Sequence, residues 1–261
     1  MDNKKALKGK TDSGDLLIKN NNKEDYLKIP ELKLAYTKKL FAKVAPRYDL
    51  ITRLLSFNQD KKWKKYLVNF LPKFSEIKEP FCLDLACGTG DLTKALAQKY
   101  PKGNITGLDI TPAMIDLAKK ANKAQNINFI CEDMSETKLD NNSYDVITGG
   151  YALRNASNIE LALKEISRLL KRDGIAAFLE FSRPANSISW TIQYHLLKFW
   201  GNLWGLIIHR DPSIYAYIAQ SCKTYPNNKE FKKLCQEAGL IEIHKKTFMF
   251  STIEIIILKK Q

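Results

Sequence analysis

Residues 81–91 read Phe81-Cys82-Leu83-Asp84-Leu85-Ala86-Cys87-Gly88-Thr89-Gly90-Asp91, a short apolar run with one acid, then two glycines one residue apart, then a helical pattern. A strand, a tight turn and a helix start in this order make a cradle. Gly88 and Gly90 allow backbone conformations that a Cβ forbids and let a ligand approach closely. The unpaired N–H groups at the start of the following helix face that ligand. Asp109 stands 19 residues after Gly90, closing a second strand pattern, Asn104-Ile105-Thr106-Gly107-Leu108. An acid at the tip of the second strand of a doubly wound sheet is placed to hold ribose hydroxyls. A purely structural βα turn with an unrelated acid downstream is the plainer alternative.

The spacing Asp84-x-Ala86-x-Gly88-x-Gly90 resembles the S-adenosylmethionine signature rather than the Gly-x-Gly-x-x-Gly of dinucleotide sites. Asp84, Gly88, Thr89 and Gly90 are then expected at the cofactor, Thr89 and Gly90 along its methionine part, with Asp109 on the ribose. Met114, early in the next helical stretch, packs either on the adenine or in the core. Glu132-Asp133-Met134 follows a third strand, where Asp133 can accept from the adenine amino group and the Met134 backbone can read the ring edge. Thr148-Gly149-Gly150-Tyr151 follows a fourth, where Gly150 leaves room for a reacting methyl. Arg154 comes three residues later and puts a guanidinium beside the transfer centre.

The elements that must position these residues are legible as periodicities. Strands are expected at 81–85, 104–109, 127–131, 144–149 and 174–181, separated by helices at 91–99, 112–123 and 159–171. Strands alternating with helices imply a parallel sheet covered on both faces. Residues 240–244 and 253–258 supply two late strands after a helix at 229–238, making a central, mostly parallel seven-stranded sheet in an α/β, Rossmann-like fold. Ahead of the sheet, helical patterns from Leu32 to Pro46, from Leu50 to Leu55 and from Trp63 to Leu71 form an N-terminal layer. Residues 1–31 are polar and read as a disordered tail. One methyltransferase-like domain is expected over 32–261: a helical cap (32–80), a cofactor-binding core (81–183), then lid helices and C-terminal strands (184–261).

The net charge of +14 is uneven: residues 1–31 carry +1, 32–80 carry +8, 81–183 balance, and 184–261 carry +5. The excess flanks the core, as suits anionic lipid, nucleic acid or an acidic substrate, or a merely solvated basic face. Residues 188–208 hold Trp190, Trp200 and Trp204 among many apolar neighbours, but Gln193, His195, Lys198 and Asn202 interrupt a span that needs about 20 apolar residues. A lid, a helix in the membrane interface and an amphipathic helix closing the core are all compatible with it. Five scattered cysteines with neither a C-x-x-C nor a His/Cys cluster argue against disulfides and a metal site. With no apolar signal core at the N-terminus, a cytoplasmic protein, peripherally membrane-associated, is expected.

Three further stretches carry a specific resemblance: Leu40-Phe41-Ala42-Lys43-Val44-Ala45-Pro46-Arg47-Tyr48-Asp49-Leu50, then Leu55-Ser56-Phe57-Asn58-Gln59-Asp60 with Trp63-Lys64, and Tyr151-Ala152-Leu153-Arg154-Asn155. With Leu179-Glu180-Phe181-Ser182-Arg183-Pro184 and the segment from Tyr215 to Ser221, the chain resembles the menaquinone/ubiquinone C-methyltransferase family (UbiE/MenG type) over roughly residues 38–240. Asn58 departs from a usual glycine, a mild change because Asn tolerates the left-handed conformation. Gly150 stands where Ser is frequent. Thr247-Phe248-Met249-Phe250-Ser251-Thr252-Ile253-Glu254 replaces a Gly-rich stretch with a His, on the substrate side.

The resemblance implies methylation of a ring carbon of a polyprenylated hydroquinone, naphthoquinol or benzoquinol, with S-adenosylmethionine as cofactor. In-line transfer depends on positioning, and the carbon becomes nucleophilic when a phenolic hydroxyl loses its proton. Arginine is always protonated, so Arg154 is read as holding a water or the phenolate, with Tyr151 and Tyr48 as wall or hydrogen-bond partners. Structural readings stand beside these: for Arg154, a salt bridge that fastens the loop after the fourth strand. An amino-directed nucleic-acid methyltransferase would carry Asn/Asp-Pro-Pro-Tyr/Phe there, and a cytosine-carbon enzyme a Pro-Cys nucleophile. Neither occurs, so no nucleic-acid partner is expected. The alternatives are another acceptor or a non-catalytic subunit of a quinone-synthesis complex. A homodimer is left open.

Overall fold

The computed structural model describes residues 27–72 and 78–261, so residues 1–26 of the expected tail lie outside the described residues. Leu27 is buried and helix α1 (Pro30–Val44) begins with Pro30 in its first turn, inside the stretch read as tail. Proline suits that position because its missing N–H has no helical partner there. A 3-10 turn (Ala45–Arg47) leads into α2 (Tyr48–Leu55), and α3 (Asp60–Phe70) follows. The joint between α2 and α3 needs left-handed backbone at Phe57 (φ 50°) and Asn58 (φ 62°). Asn58 meets that need without a glycine.

Five parallel strands follow: β1 (Phe81–Leu85), β2 (Asn104–Leu108), β3 (Ile127–Ile130), β4 (Tyr144–Gly150) and β5 (Leu170–Phe181). They alternate with α4 (Asp91–Lys99), α5 (Pro112–Ala121) and α6 (Ile159–Leu169). Then come α7 (Ser187–His209), α8 (Ser213–Thr224), α9 (Asn228–Glu237), β6 (Leu240–Phe248) and β7 (Ile253–Lys260). The sheet order is β3-β2-β1-β4-β5-β7-β6, with β7 antiparallel to both neighbours. The seven-stranded, mostly parallel α/β sheet expected from the sequence is therefore present. Two boundaries moved: β5 starts at Leu170 rather than 174, taking the end of the expected helix, and β6 runs on to Phe248.

Alternation along the strands builds two cores. Leu83, Leu85, Ile147 and Phe178 pack under α6 and α9, while Cys82, Val146, Ala177 and Leu179 pack under α3 and α4. A third cluster joins α1 and α2 to α8 through Leu40, Val44, Ile51, Ile214, Tyr215 and Tyr217. Helix α8 was not anticipated as an element of its own. It folds back on α7 because Gly201 and Gly205 bring the two backbones together: a Cβ at Gly201 would lie 2.4 Å from the Tyr215 carbonyl oxygen, and one at Gly205 2.6 Å from that of Asp211. Backbone cannot yield as a flexible side chain can, so Gly201→Ala is expected to cost about 1–3 kcal/mol of stability. A urea midpoint equal to that of the parent would contradict this account of the α7–α8 hairpin.

Candidate active site

The turn after β1 is left-handed at Ala86 (φ 49°), Gly88 (φ 56°) and Gly90 (φ 82°), and Gly90 caps α4. Gly88 N–H donates to Asp109 Oδ2 (2.9 Å), and Thr111 N–H donates to Asp109 Oδ1 (2.8 Å). Asp109 thus locks the first turn to the end of β2. Burial pushes its carboxyl above the usual aspartate range, against the backbone donors that favour the charged form.

A cleft at the carboxyl ends of the strands is lined by Gly88, Asp109, Met114, Asp133, Met134 and Gly150, six of the nine residues expected at the cofactor. Met114 is 1% exposed, and Asp133 Oδ1 accepts from Ser135 N–H (2.8 Å). The other three residues do not reach the cleft. Asp84 points to the α4 face of the sheet, where Thr93 Oγ1 (2.6 Å) and Thr148 Oγ1 (2.9 Å) donate to its two oxygens. Thr89 Oγ1 donates to Asp49 Oδ1 (2.7 Å), tying the turn to α2. Gly90 is a packing glycine, since a Cβ there would stand 2.7 Å from Asn122 Nδ2 and 3.1 Å from the Phe129 ring.

Burial raises the Asp84 carboxyl to about 6, against the threonine hydrogen bonds. A carboxyl with a raised folded-state pKa adds stability below its unfolded value of about 4, and loses it as pH rises through about 6. Asp84→Asn is therefore expected to exceed the parent in stability by about 1–3 kcal/mol near pH 7.5, with no gain near pH 4. Denaturation curves at the two pH values test the sign.

The outer wall of the cleft is α1, through Leu34, Thr37 and Phe41. At about 50 Å³ the cleft is smaller than the several hundred of an ordinary ligand pocket. Phe41, Tyr48, Tyr151 and Asn155 separate the cleft from a second cavity of about 490 Å³. That cavity is apolar over most of its wall, with Leu40, Ile51, Leu196, Phe199, Ile214 and Phe250 among its lining residues. Its polar end holds Tyr48, Tyr151, Arg154, Asn155 and Tyr217.

Arg154 lies in the 3-10 turn after β4 (Leu153–Asn155) and is 4% exposed. Its Nε donates to Glu180 Oε1 (3.4 Å), its backbone N–H to Glu180 Oε2 (3.1 Å), and its Nη1 to Ser221 Oγ (2.6 Å). The guanidinium stacks 5.0 Å over the Phe181 ring. Arg154 thus fastens the loop to β5 and α8, and it also lines the large cavity. Tyr48 lines both cavities, and burial pushes its hydroxyl up to about 12, against the pull of Lys64.

Sequence reasoning missed the charged group beneath this wall. Tyr151 Oη donates to Asp60 Oδ1 (2.9 Å), and the Lys64 ammonium bridges Asp60 (2.9 Å) and Asp91 (2.7 Å). The available signal was the i, i+4 spacing of Asp60 and Lys64 inside a stretch already singled out.

The sheet order and the cleft at its strand ends define the class of S-adenosylmethionine-type, Rossmann-like methyltransferases. A chain of the solved complex between a Haloferax volcanii methyltransferase and the Trm112 methyltransferase activator superposes with a TM-score of 0.61, at 17% identity, over 84% of this chain and 96% of that one. The sequence profile of the ubiE/COQ5 methyltransferase family matches residues 29–258, and the protein belongs to that family. The match runs past the divergent C-terminal stretch. Among curated relatives, the ubiquinone/menaquinone biosynthesis C-methyltransferase UbiE of Desulfotalea psychrophila is 31% identical over 217 residues, 83% of this chain and 87% of its own. The demethylmenaquinone methyltransferase of Staphylococcus aureus is 31% identical over 212 residues, 80% of this chain and 87% of its own.

Proposed function

We propose that this protein transfers the methyl group of S-adenosylmethionine to a ring carbon of a polyprenylated hydroquinone in quinone biosynthesis. The observation that carries the reading is the shared wall: a small cleft that includes Asp109 meets a large apolar cavity across Phe41, Tyr48, Tyr151 and Asn155. The cleft's residues fit the cofactor, with the Asp109 carboxylate for two vicinal hydroxyls, Met114 and the Met134 backbone for a flat base, and Gly150 beside Tyr151. When bound, the cofactor supplies an electrophilic sulfonium methyl.

The rest falls to this chain's own residues. Tyr48 and Tyr151 orient the acceptor ring at the wall, and the apolar cavity takes the proximal isoprene units and excludes water. Arg154 stabilises negative charge on the ring oxygen, because a guanidinium held by Glu180 and Ser221 needs no reorganisation as that charge develops. The mouth of the cavity carries exposed Phe57, Phe199 and Phe250, so the substrate's tail is taken from a bilayer surface and the protein docks there peripherally. No described helix is long and apolar enough to cross a membrane.

The direct test incubates the protein anaerobically with labelled S-adenosylmethionine and lipid extracts reduced to quinols. Label in a quinone fraction supports the proposal, and no label there, with label in RNA offered in a parallel incubation, defeats it. Asp109→Ala also removes the anchor of the Gly88 turn, so cofactor affinity is expected to fall at least about tenfold, the loss of one charged hydrogen bond. Calorimetry showing unchanged affinity would remove Asp109 from the cofactor site.

A further inference from the structure

Three charged groups under the wall between the two cavities have no part in the account so far: Asp60, Lys64 and Asp91. We propose that Asp60 receives, through the Tyr151 hydroxyl, the proton that the acceptor's phenolic group must lose. The inference rests on the hydroquinone reading and names the base that reading lacks.

Tyr151 lines both cavities, so its side chain belongs to the wall where acceptor and methyl donor would meet. Its backbone is held left-handed at φ 58°, a costly conformation for a bulky residue, pinned by a hydrogen bond from its N–H to the Leu179 carbonyl (2.7 Å). The hydroxyl donates to Asp60 Oδ1 at 2.9 Å. A carboxylate can only accept, so the direction of that bond is set. As the Tyr151 proton passes to Asp60, the same oxygen can take one from a ligand in the cavity. Burial keeps the Tyr151 hydroxyl far above its ordinary pKa, so it serves as a conduit and not as a standing phenolate.

Asp60 is 4% exposed at the start of α3, and Lys64 one turn on holds its other oxygen. Burial pulls the Lys64 ammonium down, but Asp91 and Asp60 outweigh it and keep it charged. Two carboxylates share one ammonium, which leaves an excess negative charge beside Tyr151. Glu180 offers no such capacity. Its Oε1 already accepts from Arg154 Nε and Phe181 N–H, and its Oε2 accepts from the Arg154 backbone.

In the step, the acceptor's O–H bond breaks, its proton goes to Tyr151 Oη, and the Tyr151 proton goes to Asp60. The electron pair left on the phenolate oxygen is delivered through the ring carbon to the methyl. One C–C bond forms, and the S–C bond breaks with its pair left on sulfur. The resulting dienone loses its ring proton to solvent, and the regenerated phenolate recovers a proton from Asp60 through Tyr151. The net change is one methyl gained, one proton released and the sulfonium discharged.

The test is an anaerobic single-turnover assay with a geranylated naphthohydroquinone and labelled S-adenosylmethionine across neutral and alkaline pH. The parent rate is expected to be nearly flat. Asp60→Asn and Tyr151→Phe are each expected to be about a hundredfold slower near pH 7 and to gain about tenfold per pH unit as the acceptor ionises by itself. The charged and titratable groups facing Tyr151 and Asp60, which are Tyr48, Lys64, Asp91 and Glu180, stay in place in both variants. Tyr151→Phe leaves the Asp60–Lys64 pair intact, so it decides the matter if Asp60→Asn fails to fold. Cofactor affinity by calorimetry should remain within about twofold of the parent's. A flat pH profile or near-parent turnover in folded variants overturns the relay alone. Methyl transfer by the parent to no hydroquinone overturns the functional reading beneath it.

Discussion

Arg154→Lys is expected to lower methyl-transfer turnover by about a hundredfold while cofactor affinity stays near that of the parent. Removing one aligned donor to a developing oxyanion costs on this order. The lysine keeps the charge but not the fork: Arg154 reaches Glu180 and Ser221 with two different nitrogens, and a single ammonium cannot span both while facing the cavity. Nη2 has no partner among the described residues, which leaves it for a water or the phenolate. Arg154 lines the large cavity and not the cleft, so the cofactor should not register the change. Glu180→Gln is the companion variant. It strands a buried guanidinium, and breaking a buried pair costs about 3–5 kcal/mol. If Arg154→Lys loses stability on that scale, with turnover falling only in proportion to the unfolded fraction, Arg154 is a fastener and nothing more.

Phe199→Ser combined with Phe250→Ser is expected to reduce binding to anionic liposomes by about a hundredfold. Burying a phenylalanine side chain contributes roughly 1.5–3 kcal/mol, and two such anchors act together. Phe199 is 67% exposed on α7, Phe250 is fully exposed at the β6–β7 turn, and both line the mouth of the large cavity. The sequence pointed instead to Trp200 and Trp204. Those indoles are half-buried: Trp200 stacks on Phe57 at 4.9 Å and meets Trp204 edge-on at 5.7 Å, and both Nε1 atoms are buried. Exposed Lys198 adjoins Phe199, and exposed Arg53 lies one turn before Phe57, so part of the binding should fall with salt. Flotation that ignores the double substitution would separate the apolar rim from membrane contact.

Local signals carried the fold. Apolar runs of strand length, helical periodicity and the Gly88–Gly90 turn depend on neighbours within a few residues, and five of the seven strands fell within one or two residues of their expected ends. Helix α8 was missed because its packing partner is the backbone of α7, reached through Gly201 and Gly205, and two glycines in an apolar run carry no local signature of a close crossing. Strand β5 was read four residues short because Asp173 takes a left-handed turn within it (φ 63°), which polar sequence marks as a loop.

The site divided along the same line. Asp109, Asp133, Met134 and Gly150 could be assigned to one cleft from sequence, because parallel strands deliver their carboxyl ends to one edge whatever their side chains are. Asp84 sat in the same motif, but pleat alternation turned it to the α4 face, where two threonines consume it. Thr89 Oγ1 donates to Asp49, across to α2 and away from the cleft's lining. The chain's sequence by itself determined the sheet, the cleft at its strand ends and the family, since these follow from short-range spacing and backbone geometry. Only the tertiary structure decided which wall separates the two cavities, that Asp60 and Lys64 lie beneath it, and which aromatics face outward. Those depend on side-chain direction and on contacts between segments tens to more than a hundred residues apart, which no local pattern encodes.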